Sequence, residues 1–191
     1  MPVWIILQIV IPGDETRMSS TPSAATDPDA GSRSQAPRWA WLTATFFGTG
    51  KLRPGPGSWA SALTVVVWWA ISRGIPVQWH VAVVILLAVL VIVAGIPAAT
   101  RVSRQIGIKD PSFVVIDEVA GQLIALIALP VHWKTLLLGF ILFRAFDIVK
   151  PPPLRRLEHI PEGAGIMLDD VGAGLYALIV GQLLLHFGRV R

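Results

Sequence analysis

Three groups of charged residues interrupt an otherwise apolar chain. Asp117-Glu118, Arg144/Asp147/Lys150 and Asp169-Asp170 all lie within or directly against long hydrophobic runs. An acid at the centre of a lipid-facing helix costs roughly 2.5–3.5 kcal/mol, so such groups must meet one another, a cation or water. Asp117, Glu118, Asp147, Asp169 and Asp170 together would form the all-oxygen donor set that Mg2+, or Mn2+, prefers. Without a cation, five acids in one cluster would repel one another, so a divalent ion is the economical explanation.

Each group also has a plainer alternative. Neighbouring residues on a helix diverge by about 100°, so Asp117 and Glu118 face one point only where the helix is irregular. A surface pair at a helix N-terminus, favoured by the dipole, is the alternative there. Arg144, Asp147 and Lys150 recur every third residue and form a cation–anion–cation stripe that can bind an anion. The alternative is an internal Arg144–Asp147 ion pair that only neutralises burial. One of Asp169 and Asp170 would serve as a helix N-cap, but two exceed what capping needs.

A fourth stretch, GTGKLRPGPGS at 48–58, sets Lys51, Arg53 and Ser58 among glycines. Glycines let backbone N–H groups approach an anion, and the cations add charge. The G-K-[ST] ending of a nucleotide-binding loop is absent, and a plain connecting loop is the alternative. The four histidines show no metal-ligand spacing, and the absence of cysteine excludes a thiolate metal site, a disulfide framework and a cysteine nucleophile.

The elements that must position these residues are hydrophobic. Of 191 residues, 53% are hydrophobic and only 15% charged, and the mean hydropathy is +0.64. Soluble domains run nearer a quarter charged, so a disordered chain is excluded and an integral membrane protein is expected. Apolar runs occupy about 58–72, 79–99, 113–130, 135–149 and 171–187. Lipid leaves no partner for unpaired backbone groups, so all five are expected to be helical. The expected fold is all-α: a compact multi-helix integral membrane bundle of about five apolar segments, over residues 38–191. Residues 1–37 are rich in Ser, Thr, Pro, Asp and Gly and are expected to form a poorly ordered tail. The aromatic segment 38–50 fits a helix at the membrane surface.

The net charge of +4 reads as topology signals and anionic-lipid contacts rather than nucleic-acid binding, because the cations lie between apolar runs. With the N-terminus in the cytoplasm and one crossing per run, eleven Lys and Arg fall on the cytoplasmic side and four opposite. The same alternation brings stretches 48–61, 101–118, 144–156 and 163–170 to the cytoplasmic face. Carboxylates in an apolar chain also suit a small ion- or proton-coupled transporter. Transporter acids, however, belong near the midplane on broken helices of related halves.

Four motifs, in this order, carry a family resemblance: GTGKLRPGPGSWAS at 48–61, DPSFVVIDEVAGQ at 110–122, FRAFDIVKPPPLR at 143–155 and GAGIMLDDVGAG at 163–174. On these the chain resembles the phosphatidylglycerophosphatase A family over about 40–190. The resemblance implies a Mg2+-dependent, helical enzyme of the bacterial inner membrane that dephosphorylates phosphatidylglycerophosphate to phosphatidylglycerol. It carries over the Pro56-Gly57-Ser58 loop, Asp117-Glu118, Asp147 with Lys150 and Pro151, and Asp169-Asp170. Ser58 stands where the family usually has Thr, keeping the hydroxyl, and Ala60 where it has Gly. Physics and resemblance together make Asp117, Glu118, Asp147 and Asp170 the expected catalytic residues. The five acids are expected to hold metal, and Arg144, Lys150, Lys51 and Ser58 to bind the substrate phosphate.

Overall fold

The computed structural model describes residues 35–152, 154 and 162–188. The expected tail therefore lies outside the described residues except at 35–37, as do Arg155, Arg156 and His159. Among the described residues all regular structure is helical. The helices are α1 (Arg38–Ala44), α2 (Pro56–Ser72), α3 (His80–Ile106), α4 (Ile116–Ala125), α5 (Trp133–Val149) and α6 (Glu162–Phe187). Short 3-10 turns at Thr49–Lys51 and Val77–Trp79 lead into α2 and α3.

Two helical stretches are long and apolar enough to cross a membrane, Val77–Ile106 and Gly163–Phe187. Helices α2 and α5 have 17 residues each, about 25 Å at 1.5 Å per residue. The third apolar run departs from the expected long helix. Helix α4 has only 10 residues, about 15 Å, half of a ~30 Å hydrocarbon layer. By itself it is too short to span such a layer; it is the buried centre on which α2, α3, α5 and α6 pack. Every α4 residue except Glu118 is buried. Its chain then breaks into turns, with Ala128 in the left-handed region (φ 57°), before Pro130 and a new start at α5.

The interior mixes large side chains such as Trp68, Phe143 and Met167 with many small ones, Ala40, Ala44, Ala60, Ala98, Ala99, Ala120, Ala125 and Ala177 being fully buried. Large apolar residues such as Leu86, Leu90 and Val93 on α3 and Ile179 and Leu183 on α6 face outward. Small residues let helix backbones approach closely where apolar burial from water is not the driving force. The tightest approach joins α4 to α6. A methyl group built on Gly174 would run into the carbonyl oxygen of Gly121, and one on Gly121 into the Phe143 ring. The start of α6 is docked on α3 in the same way: the Gly163 N–H donates to Thr100 Oγ1 at 3.2 Å, and a methyl there would reach the α3 backbone near Ile96.

The α4–α6 contact predicts an asymmetry between glycines. Gly121→Ala should destabilise the protein by roughly 1–3 kcal/mol through overpacking. Gly181→Ala, where an added methyl finds only ordinary contact with Leu129 and Leu142, should be neutral or stabilising by up to ~1 kcal/mol. Thermal unfolding in detergent measures both; equal midpoints would overturn the close-contact account.

Candidate metal and phosphate site

The residues that approach the centre do so from the ends of four helices and one loop. Alternating chain direction brings the start of α2, the segment after α3, the start of α4, the end of α5 and the start of α6 around one cavity. Its volume is about 670 Å3. Gly57, Lys109, Asp110, Ser112, Asp117, Glu118, Arg144, Asp147, Lys150, Asp169 and Asp170 all line it. The sequence-based acids and the α5 cations therefore share one cavity.

Within it the five acids divide. Asp117, Glu118 and Asp170 each place a carboxylate oxygen within 4.8 Å of the other two. Each lies beside the α4–α6 crossing: Asp117 and Asp170 precede Gly121 and Gly174 by four residues, one turn, on their helices. Asp117 and Glu118 converge although they are adjacent. They occupy the first turn of α4, entered from Val115 at φ −137°, and Glu118 has the longer side chain. Gly57 makes room for it, since a methyl at Gly57 would strike Glu118 Oε1. The other two acids are ion-paired. Asp147 forms an ion pair with Arg144, Oδ2 to Nη1 at 2.6 Å, and Asp169 one with Lys150, Oδ2 to Nζ at 2.5 Å.

The expected N-capping alternative for Asp169 or Asp170 does not hold. Helix α6 begins at Glu162, so both acids lie two turns inside it. The glycines before them remain helical because that segment packs directly on α3. The Arg144–Asp147 pair does form, as the plainer alternative supposed, yet both partners face the cavity. Lys150 follows the last turn of α5 in the left-handed region at φ 48°. The following Pro151 disfavours helical backbone there, and the side chain reaches α6. A non-glycine residue in this conformation is worth a functional question.

Electrostatically the cluster calls for positive charge. Burial, then the neighbouring Glu118 and Asp170 charges, holds the Asp117 carboxyl well above the usual carboxylate range. Burial also raises Glu118; its hydrogen bond with Asp117 and the charge of Arg144 oppose that rise. Asp117 Oδ1, Glu118 Oε2 and Asp170 Oδ2 are buried and find no hydrogen-bond partner among the described residues. Three orphaned oxygens of hard character, converging beside two ion pairs, fit a divalent cation.

Two expected phosphate ligands stand elsewhere. Lys51 lines a neighbouring cavity, and Ser58, in the first turn of α2, is outside the lining of the acidic one. Conversely, Lys109, Asp110 and Ser112 line the acidic cavity although the motif reading singled out none of them. Their only signal in the sequence was position just upstream of Asp117, with Asp110 and Ser112 in the same motif and Lys109 directly before it.

The phosphatidylglycerophosphatase A family model matches residues 42–185. A protein of Bacteroides thetaiotaomicron named as a putative phosphatidylinositol-3-phosphatase is 38% identical over 143 residues, covering 73% of this chain and 89% of that protein. A phosphatidylglycerophosphatase A of Haemophilus influenzae is 35% identical over 141 residues, 73% of this chain and 84% of the relative. One of Escherichia coli is 32% identical over 136 residues, 70% and 76% respectively. No solved structure matches.

If the three acids hold a cation, Mg2+ or Mn2+ titrated into the detergent-solubilised protein should raise its thermal midpoint. Saturation at ~100 times Kd corresponds to about 2.7 kcal/mol. Asp170→Asn should lose most of that response. A response equal to that of the unaltered protein would remove Asp170 from the ligand set.

Proposed function

The chain belongs to the phosphatidylglycerophosphatase A family and is a phosphatase, a phosphoric monoester hydrolase; on that premise we propose that it hydrolyses phosphatidylglycerophosphate to phosphatidylglycerol and phosphate, with Mg2+, at the cytoplasmic face of a bacterial inner membrane. The observation that carries the reading is the convergence of Asp117, Glu118 and Asp170 in one cavity with Arg144 and Lys150. Carboxylates for a metal and cations for phosphate oxygens are what phosphoryl transfer requires, since it depends on positioning and charge neutralisation.

Asp117, Glu118 and Asp170 would hold the cation, which when bound would supply charge neutralisation and a lowered pKa for the attacking water. Arg144 and Lys150 donate to the phosphate oxygens, each kept in place by its own carboxylate partner. Asp147 takes a proton from the water as it attacks phosphorus. The P–O bond to the terminal glycerol oxygen breaks, and that oxygen receives the proton from Asp147. Alcohol and inorganic phosphate leave, and Asp147 is again a carboxylate.

The membrane setting rests on the two long apolar helices, the outward-facing large apolar side chains and the excess of cations on the side that carries the cavity. All five sequence segments belong to the membrane body in this reading, with the short α4 enclosed by the other helices and continued by the turns that lead to α5. Lipid tails then stay in the bilayer while the head group enters the cavity at the helix ends. Family membership favours this over the transporter alternative.

Purified protein should release phosphate from phosphatidylglycerophosphate in detergent, and chelation of divalent cations should stop it. Asp147→Asn should lower kcat by ~10²-fold or more, and Arg144→Ala by ~10²–10³-fold, with membrane insertion unchanged. Turnover that survives chelation would overturn the metal-dependent reading; full activity in either variant would remove that residue from the chemistry.

A further inference from the structure

A second cavity, of about 520 Å3, adjoins the acidic one and shares Gly55, Pro56 and Ser112 with it. Its lining differs in kind. It contains no acid, and its charged residues are Lys51 and Arg53. Its floor is the Trp41 and Phe113 rings, stacked at 5.6 Å and 18°. Trp41 is fixed from behind, because its Nε1–H donates to Gln105 Oε1 at 3.1 Å. The backbone of the Lys51 turn is held against the same wall, since a methyl on Gly50 would strike the Phe113 carbonyl. The first residues of α2 form the rim common to both cavities, so the positive end of that helix also faces their junction.

A cationic cavity with a rigid apolar floor, contiguous with a site for a phosphate monoester, suits a second phosphate carried by the same molecule. We propose that this cavity binds the phosphodiester of the lipid substrate: Lys51 and Arg53 pair with the diester oxygen, the glycerol linker crosses the Gly55-Pro56 rim, and the terminal phosphate lies in the acidic cavity. The proposal rests on the hydrolase reading above and adds the basis of its selectivity. A lipid bearing a diester and a monoester separated by a polyol fills both cavities. Phosphatidic acid, whose single monoester is attached directly to diacylglycerol, fills only one. Lys51 thus acts on phosphate, as the sequence suggested, but on the one that is not cleaved.

The test compares phosphatidylglycerophosphate and phosphatidic acid as substrates in mixed micelles with Mg2+, for the unaltered protein, Lys51→Ala/Arg53→Ala and the charge-preserving Lys51→Arg/Arg53→Lys. Charge-assisted contacts of this kind make a rise of ~10-fold or more in KM for phosphatidylglycerophosphate the expected effect of the alanine pair. Its kcat should stay within about twofold, the charge-preserving pair should restore KM, and the preference over phosphatidic acid should fall by the same factor. An unchanged KM would overturn the subsite. So would an equal loss on both lipids, which would make the two cations a general membrane-surface contact. Failure of the unaltered protein itself to hydrolyse phosphatidylglycerophosphate would overturn the parent reading, and is seen separately in the first arm.

Discussion

Three largely buried carboxylates within 4.8 Å of one another at the wall of one cavity are the constraint around which the protein is arranged. Two unit charges at that distance repel by about 3.5 kcal/mol at an effective dielectric of about 20. A fold of ordinary marginal stability cannot hold three such charges without a counter-charge or a shared proton. The backbone contact of Gly121 with Gly174 holds them there. It clamps α4 and α6 one turn away from Asp117 and Asp170, so the acids cannot relax apart by moving the helices. The cluster therefore carries a shared proton or a counter-charge, and a divalent cation is a counter-charge that these oxygens suit.

The two ion pairs beside the cluster have a different task. Arg144–Asp147 and Lys150–Asp169 are each neutral as pairs, so they add little net field to the cavity while keeping two cations pointed into it. Partly buried pairs of this kind contribute little to stability on balance. In the proposed function their use is orientation: a guanidinium and an ammonium held ready for phosphate, with a carboxylate within reach to move a proton. In the proposed reading, the division into three converging acids and two ion-paired ones separates metal holding from anion holding within one set of five similar side chains.

The same small-residue packing that brings the acids together leaves many large apolar side chains facing outward. A bundle of this kind places its polar groups at helix ends, because only there do they meet loop backbone, water and head groups. The cavity, its cationic neighbour and the short 3-10 turn at Thr49–Lys51 all lie at that end, and substrate selection is then a matter of which head-group charges fit across the rim between them.

Much of this was legible in the residues alone. Long continuous apolar runs at the observed positions implied helices, because a helix satisfies its backbone groups within one segment, and their alternation required the four polar motifs to share one end. Charged residues inside those runs marked the site, because nothing else justifies their cost. Tertiary structure decided what one-dimensional spacing cannot carry. The run at 113–130 became a ten-residue enclosed helix followed by turns, with Gly121 allowing the close approach of α6 on one side. Asp169 and Asp170 moved from a supposed cap to the interior of α6, because Gly163 gains from packing on α3 what it loses in helix propensity. Asp117, Glu118 and Asp170 were selected from five equivalent acids, and Lys51 was assigned to a separate cavity. Both outcomes depend on how closely two backbones approach, and that distance is a property of the pair of helices, written in neither segment by itself.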